Sequence, residues 1–153
     1  MNKFLVLTCI LFFSTLSSAY EIVIDSSLSE ERVEHIDDML GKSVVVLNGL
    51  MWQDNKDAKT ITRDWQDAKK YCSNLTFGGY DDWYLPSLEE LYSIVDKSRT
   101  HKIKKEFKNT TPNNYWSSSV LNNHAGYVFF SHGGVGYNDK STVDYIRCVR
   151  AVQ

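Results

Sequence analysis

The segment of residues 78–91 most constrains how this chain folds, because it joins a glycine pair, an aromatic cluster, a proline and a helix start. Pro86 has no backbone N–H and pushes Leu85 toward an extended conformation, so one long helix cannot pass through the segment. Ser87 is expected to cap a following helix, and Glu90 three residues later completes a capping box. The segment therefore predicts a joint where an extended stretch ends and a helix begins.

The first 41 residues divide into two segments ahead of a single predicted domain, residues 42–153. Residues 1–19 combine a basic start, an apolar run and small residues at the end, which is typical of a secretory signal peptide. The apolar run is shorter than the ~20 residues that span a bilayer, so we expect no transmembrane anchor. Residues 20–41 are acidic and are expected to form an amphipathic helix or a flexible arm. The chain is therefore predicted to be exported, to the periplasm or to the cell surface and beyond.

Two cysteines, Cys72 and Cys148, follow the predicted signal peptide. In an oxidising compartment an isolated pair is most simply a disulfide, with two free thiols as the alternative. Cys72 lies on the apolar face of a predicted helix for which Thr62 is the expected cap. That apolar face consists of Trp65, Ala68, Cys72 and Leu75. The disulfide would tie this helix to the last predicted strand.

Short predicted strands precede and follow the two helices. Residues 44–47 and 50–52 flank Asn48-Gly49, a pair that tolerates the positive φ angles of a two-residue hairpin turn. Residues 55–59 are polar and are predicted to form a loop. Three β runs follow late in the chain, at residues 115–119, 125–130 and 143–150. The pattern predicts an α+β fold with an antiparallel sheet, two helices and one long-range disulfide, in which early and late strands share a sheet.

Five short motifs occur in order along residues 49–150, and together they resemble the DUF1566 family, also called the Lcl C-terminal domain. They are Gly49–Gln53, Trp65–Ala68 with Tyr71-Cys72, Gly79–Pro86 with Glu90-Leu91, Tyr115–Ser119, and Arg147–Arg150. The resemblance implies a C-type-lectin-like domain of exported or surface proteins of bacteria. In the collagen-like adhesin that names the family, such a domain binds sulfated glycosaminoglycans. Tyr84 stands where the family usually has an arginine. We therefore do not expect this chain to make the contact that the arginine makes in other members.

The large side chains of these motifs are expected to hold the scaffold, since aromatic residues dominate the cores of small domains. We assign a structural role to Trp52, Trp65, Trp83, Pro86, Trp116 and Arg147. Trp83 is the tryptophan whose surroundings, two aspartates and two tyrosines, least resemble a core. Asp82 is expected to support the turn that precedes Trp83.

A basic run at residues 97–108 is the sharpest functional signal, with six cationic residues against Glu106, a net charge of +5. A cation-rich segment on an acidic protein can attract a polyanion, such as a sulfated or phosphorylated glycan; a solvated loop surface is the equally weighted alternative. We predict a binding face that joins this run to the late loop at residues 132–139. Its named residues are Lys102, Lys104, Lys105, Lys108, Tyr137 and Asn138. Nucleic acid ranks last among the ligands.

The sequence contains no recognisable catalytic constellation and implies no cofactor. Asp81-Asp82 and Asn138-Asp139 are candidate calcium ligands and His124 with His132 are candidate metal ligands, but ordinary turn and loop roles are favoured for all of them. We expect a non-enzymatic binding module for a glycan or another polyanion. The alternative is a structural or accessory subunit of a bacterial surface assembly, in which residues 20–41 would dock on the basic run of a protein partner.

Overall fold

The computed structural model describes residues 43–152, so the predicted signal peptide and the acidic segment at residues 20–41 lie outside the described residues. Residues 43–152 form an α+β fold. Its elements, in chain order, are β1 (Val44–Leu47), β2 (Leu50–Gln53), α1 (Asp57–Thr60), β3 (Thr62–Arg63), α2 (Trp65–Ser73), α3 (Leu88–Ser93), β4 (Asn114–Leu121), β5 (His124–Phe129), β6 (Gly134–Asn138), β7 (Asp144–Tyr145) and β8 (Val149–Ala151).

A small three-stranded sheet brings the beginning and the end of the domain together, in the order β1-β2-β8. The predicted hairpin is confirmed: β1 pairs with β2 in antiparallel register, and Asn48 and Gly49 turn the chain with φ of 53° and 75°. Strand β8 then pairs with β2, placing Val149 opposite Trp52. Early and late strands therefore share a sheet, as expected.

A second sheet of five strands has the order β3-β7-β4-β5-β6. Its pairs are antiparallel, except that β4 and β7 run parallel through a single pair, Tyr115 with Tyr145. The sequence predicted one antiparallel sheet, whereas residues 43–152 contain two sheets with this one parallel contact. The difference arises because β7 follows the edge strand β6, through residues 139–143, and pairs with β4 on the side opposite β5 and not through a hairpin. Strand β6 lies at one edge of the sheet.

Helices α1 and α2 correct two sequence predictions. Residues 57–59 of the predicted loop at residues 55–59 belong to α1, because Ala58 is buried and its N–H donates to the Asn55 side chain over 3.4 Å. Helix α2 is capped by Asp64, whose carboxylate accepts from the Asp67 N–H over 2.9 Å, and not by Thr62. Thr62 belongs to β3, where it pairs with Tyr145. The described residues therefore contain a third, short helix.

The joint at residues 78–91 is confirmed and is anchored on β4. Ser87 Oγ accepts from the Glu90 N–H over 3.1 Å, and the Glu90 carboxylate accepts from the Ser87 N–H over 2.8 Å. Strand β4 has an irregular register after Trp116, and its Ser118 N–H donates to the Pro86 carbonyl over 2.7 Å. The end of the extended stretch and the beginning of α3 are thus bonded to the same strand.

The predicted disulfide between Cys72 and Cys148 is confirmed, with 5.4 Å between their Cα atoms. It lies in one of two buried clusters, together with Trp65, Trp83 and Trp116. The other cluster surrounds Trp52 and contains core residues of α3, β4 and β5. All four tryptophans are therefore buried among apolar neighbours.

Arg147 lies beneath the surface and connects three segments. Its Nη1 donates to the Gln53 carbonyl over 2.6 Å and to the Asp54 carboxylate over 2.8 Å. Its Nη2 donates to Thr110 Oγ1 over 2.7 Å, and the guanidinium lies 4.8 Å from the centroid of the Phe107 ring. Arg147 therefore fastens the end of the basic run to the end of β2.

In the part of the chain that the structure describes, no helix has the length and apolar character needed to cross a membrane.

Candidate functional site

One concave feature of the described residues is a cleft of about 600 Å³ between α3 and the edge strand β6. Helix α3 packs on β4 and β5. On β6, the neighbour of β5, Val135 and Tyr137 are 53% and 40% exposed. The two pair across the strands with Val128 and Gly126 of β5, so they extend the same sheet face beyond the part that α3 covers. We call this space the α3–β6 cleft. The polar and aromatic side chains that line it are Glu89, Tyr92, Lys97, Ser119 and Tyr137.

Two tyrosines contributed by different elements line the α3–β6 cleft. Tyr92 comes from α3 and is 41% exposed, and Tyr137 comes from β6. Gly126 leaves room for Tyr137: a Cβ added there would lie 3.4 Å from Tyr137 Cε1 and 2.9 Å from Ser117 Oγ. The absence of a side chain at Gly126 therefore lets the Tyr137 ring lie close against β5.

The beginning of the basic run forms the cationic end of the α3–β6 cleft. Lys97 Nζ lies 5.8 Å from the centroid of the Tyr92 ring, and Lys102 Nζ donates to the Lys97 carbonyl over 3.0 Å. The turn between β5 and β6 packs against both lysines at Gly133, which has φ of +69°. A Cβ on Gly133 would lie 3.2 Å from Lys102 Cβ and 3.3 Å from Lys97 Cγ, so only glycine fits this contact without displacement.

The structure brings together only part of the binding face predicted from the sequence. Lys102 lies beside the turn that borders the cleft, and Tyr137 lines it. Lys108 is at the other end of the basic run, where its N–H donates to the Asp54 carboxylate over 2.7 Å. Asn138 donates over 3.3 Å to the Asp144 carboxylate.

The other two predicted lysines have different surroundings. The Lys104 N–H donates to the Ile94 carbonyl over 3.0 Å, which fastens the middle of the run to the end of α3. Lys105 is exposed, and its carbonyl accepts from Lys108 Nζ over 2.8 Å. Ile103 and Phe107 alternate with these lysines and are buried. The basic run is thus anchored to the core by its apolar residues while its cations remain at the surface.

Sequence reasoning missed Tyr92 and did not include Lys97 in the binding face. One signal for Tyr92 was present: Leu91 and Ile94 define the inward face of α3, and this helical phase directs Tyr92, the residue after Leu91, outward. A single exposed aromatic side chain is common on protein surfaces, so this signal becomes informative only when a second aromatic residue lies beside it. Nothing local connects it to Tyr137, which is distant in sequence.

Two of the candidate calcium ligands, Asp82 and Asp139, are bonded to protein groups. Arg150 binds Asp82, and this hydrogen bond lowers the pKa of the Asp82 carboxyl. The backbone and hydroxyl of Ser141 bind Asp139 and lower its pKa. Among residues 43–152, no three His, Cys, Asp or Glu side chains are grouped so that they could hold a metal ion. Asp82 therefore supports its turn by way of Arg150.

The predicted late loop at residues 132–139 is mostly strand β6, and His132, in the turn before that strand, has protein contacts. The His132 ring lies edge-on to Phe129 with 4.4 Å between centroids, and its Nδ1 accepts from the Gly134 N–H over 3.1 Å. His132 therefore shapes the β5–β6 turn that borders the cleft.

One comparison with known proteins identifies a family. The sequence model of the Lcl C-terminal domain family matches residues 46–150. This range includes every strand and helix described above except the first two residues of β1 and the last residue of β8. The chain matches no curated protein.

Proposed function

The chain belongs to the Lcl C-terminal domain family, and from this premise we propose that it is an exported, non-enzymatic module that binds a glycan or another polyanion through the α3–β6 cleft. The observation that carries the proposal is the pair of exposed tyrosines, Tyr92 and Tyr137, in one cleft with the Lys97 ammonium. Ligand sites are typically concave, with aromatic walls and a few convergent polar groups.

The chemistry of this lining suits a carbohydrate. The face of an aromatic ring is electron-rich and attracts the polarised C–H groups of a sugar ring. Glu89 supplies acceptor oxygens for sugar hydroxyls. Ser119 Oγ accepts from the Leu88 N–H over 2.9 Å, which leaves its own O–H to donate to a ligand.

We also propose a C-type-lectin-like fold and an exported location. Pairing of β2 with β8 and a disulfide that ties α2 to the approach to β8 support the fold. The disulfide is compatible with an oxidising compartment, which agrees with the signal peptide predicted at residues 1–19. The alternative, an accessory subunit that docks through residues 20–41, stays a prediction, because those residues lie outside the described part of the chain.

A glycan array with matched tyrosine variants tests the proposal. We expect Tyr92→Ala and Tyr137→Ala each to weaken binding by about tenfold, because each removes one aromatic wall. Tyr80→Ala is the control, since Tyr80 is exposed to the same extent, 41%, but packs on Arg150 outside the cleft.

A Lys102/Lys104/Lys105→Ala variant measures the share of the basic run in the same assay. Binding that is unchanged in both cleft variants would contradict the assignment of the cleft, and an array without any binding would contradict the proposed function.

A further inference from the structure

The charges around the α3–β6 cleft define its ligand more narrowly. The lining contains one ammonium, that of Lys97, and one carboxylate, that of Glu89. Neither Lys102 nor Lys108 lines the cleft: Lys102 Nζ donates to the Lys97 carbonyl, and Lys108 lies at the other end of the basic run, where its backbone N–H donates to Asp54. The cleft therefore provides one cationic contact, not a row of cations.

A ligand with several anionic groups on one ring does not match this lining. A second anion would lack a cation and would be repelled by Glu89, which lies in the same cleft. A neutral sugar ring would provide no anionic partner for the Lys97 ammonium. A ring with a single carboxylate satisfies the ammonium and keeps its remaining hydroxyls for Glu89 and Ser119.

Resting on the proposed function, we infer that the α3–β6 cleft recognises a sugar ring that bears one carboxylate, of the uronic-acid type. The ring lies against the Tyr92 and Tyr137 side chains. Its carboxylate pairs with Lys97, whose ammonium lies over the Tyr92 ring. Gly133 and Gly126 are positioning residues for this contact, because they allow the approach of Lys97 and Tyr137.

Titrations of the protein with two simple sugars, followed by NMR, test the inference. We expect methyl β-glucuronide to bind about fivefold more tightly than methyl β-glucoside, which corresponds to one partly exposed ion pair. Lys97→Gln should remove this preference while leaving the weaker binding of the glucoside. Lys108→Gln is the matched control, because it deletes the same charge from the same basic run outside the cleft lining.

Three other outcomes of these titrations would contradict the inference. Equal affinities for the two sugars, with shifts at Tyr92 and Tyr137, would overturn the uronic-acid inference and leave the proposed function standing. Absence of shifts at cleft residues with either sugar would overturn both. Tighter binding of a sulfated heparin disaccharide, weakened by Lys108→Gln and not by Lys97→Gln, would overturn the inference in favour of a polyanion on the basic run.

Discussion

At the scale of single residues, two arginines of the last motif bind carboxylates in different surroundings. The Arg147 and Asp54 side chains are 0% and 6% exposed, whereas Asp82, the partner of Arg150, is 47% exposed. Loss of one member of a buried ion pair leaves an uncompensated charge away from water. An exposed carboxylate can be hydrated when its partner is removed. The two residues are therefore expected to differ in their contribution to stability.

Substitution of each arginine by methionine, which keeps much of the side-chain volume, tests this difference. Arg147→Met should lower the free energy of unfolding by about 3–5 kcal/mol, because Asp54 remains buried and loses its charge partner. Arg150→Met should cost about 1 kcal/mol or less, since Asp82 faces solvent. Denaturant unfolding of both variants gives the comparison. Equal losses would show that burial of the partner does not determine the role of Arg147.

At the scale of elements, α3 is a short helix that depends on contacts at its beginning. A helix of six residues has little intrinsic stability in water, so its capping box and its bonds to β4 hold it in place. Because α3 supplies Glu89 and Tyr92 to the cleft, its position also determines the geometry of the candidate site.

Two serines of this region provide a matched test. Ser87→Ala should lower the free energy of unfolding by about 1 kcal/mol, because the Glu90 N–H loses its capping acceptor. Ser93→Ala, at the last residue of the helix, removes only a bond to the Glu90 carbonyl and should change stability by about 0.5 kcal/mol or less. Thermal unfolding measured by circular dichroism gives both values; a larger loss at Ser93 would contradict the importance of the capping box.

At the scale of the whole molecule, the disulfide and the β2–β8 pairing join distant parts of the chain. Cys72 and Cys148 are 76 positions apart, and the loop that they close contains α3, β4, β5, β6 and β7. Closing so long a loop restricts the unfolded chain and raises the free energy of unfolding.

A Cys72→Ala/Cys148→Ala variant should therefore lose about 4.5 kcal/mol of stability, as the chain-entropy relation gives for a loop of this length. Comparison of the oxidised protein, the reduced protein and the double variant in urea separates the cross-link from the loss of sulfur atoms. If reduction leaves the unfolding midpoint unchanged, the cross-link does not stabilise the domain.

Features that depend on residues close together in the sequence were predictable, and features that depend on tertiary contacts were not. The hairpin turn at Asn48-Gly49 and the capping box of Ser87 and Glu90 were predictable, because each depends on residues within a few positions. The cap of α2 is Asp64 and not the predicted Thr62, because pairing with Tyr145, far along the chain, places Thr62 in β3. Helix α1 was missed because burial of Ala58, a tertiary effect, stabilises its single turn.

The family, the α+β class, the first hairpin, the capping of α3 and the disulfide partners were predictable from the sequence. These follow from local backbone preferences and from a cysteine pair with no competing partner after the predicted signal peptide. The tertiary structure alone decided the two-sheet arrangement and the α3–β6 cleft. Tyr92, Lys97 and Tyr137 meet only after β6 has paired with β5 and α3 has packed beside them. Such proximity depends on how the sheet face is covered, and no short-range pattern of residue types encodes it.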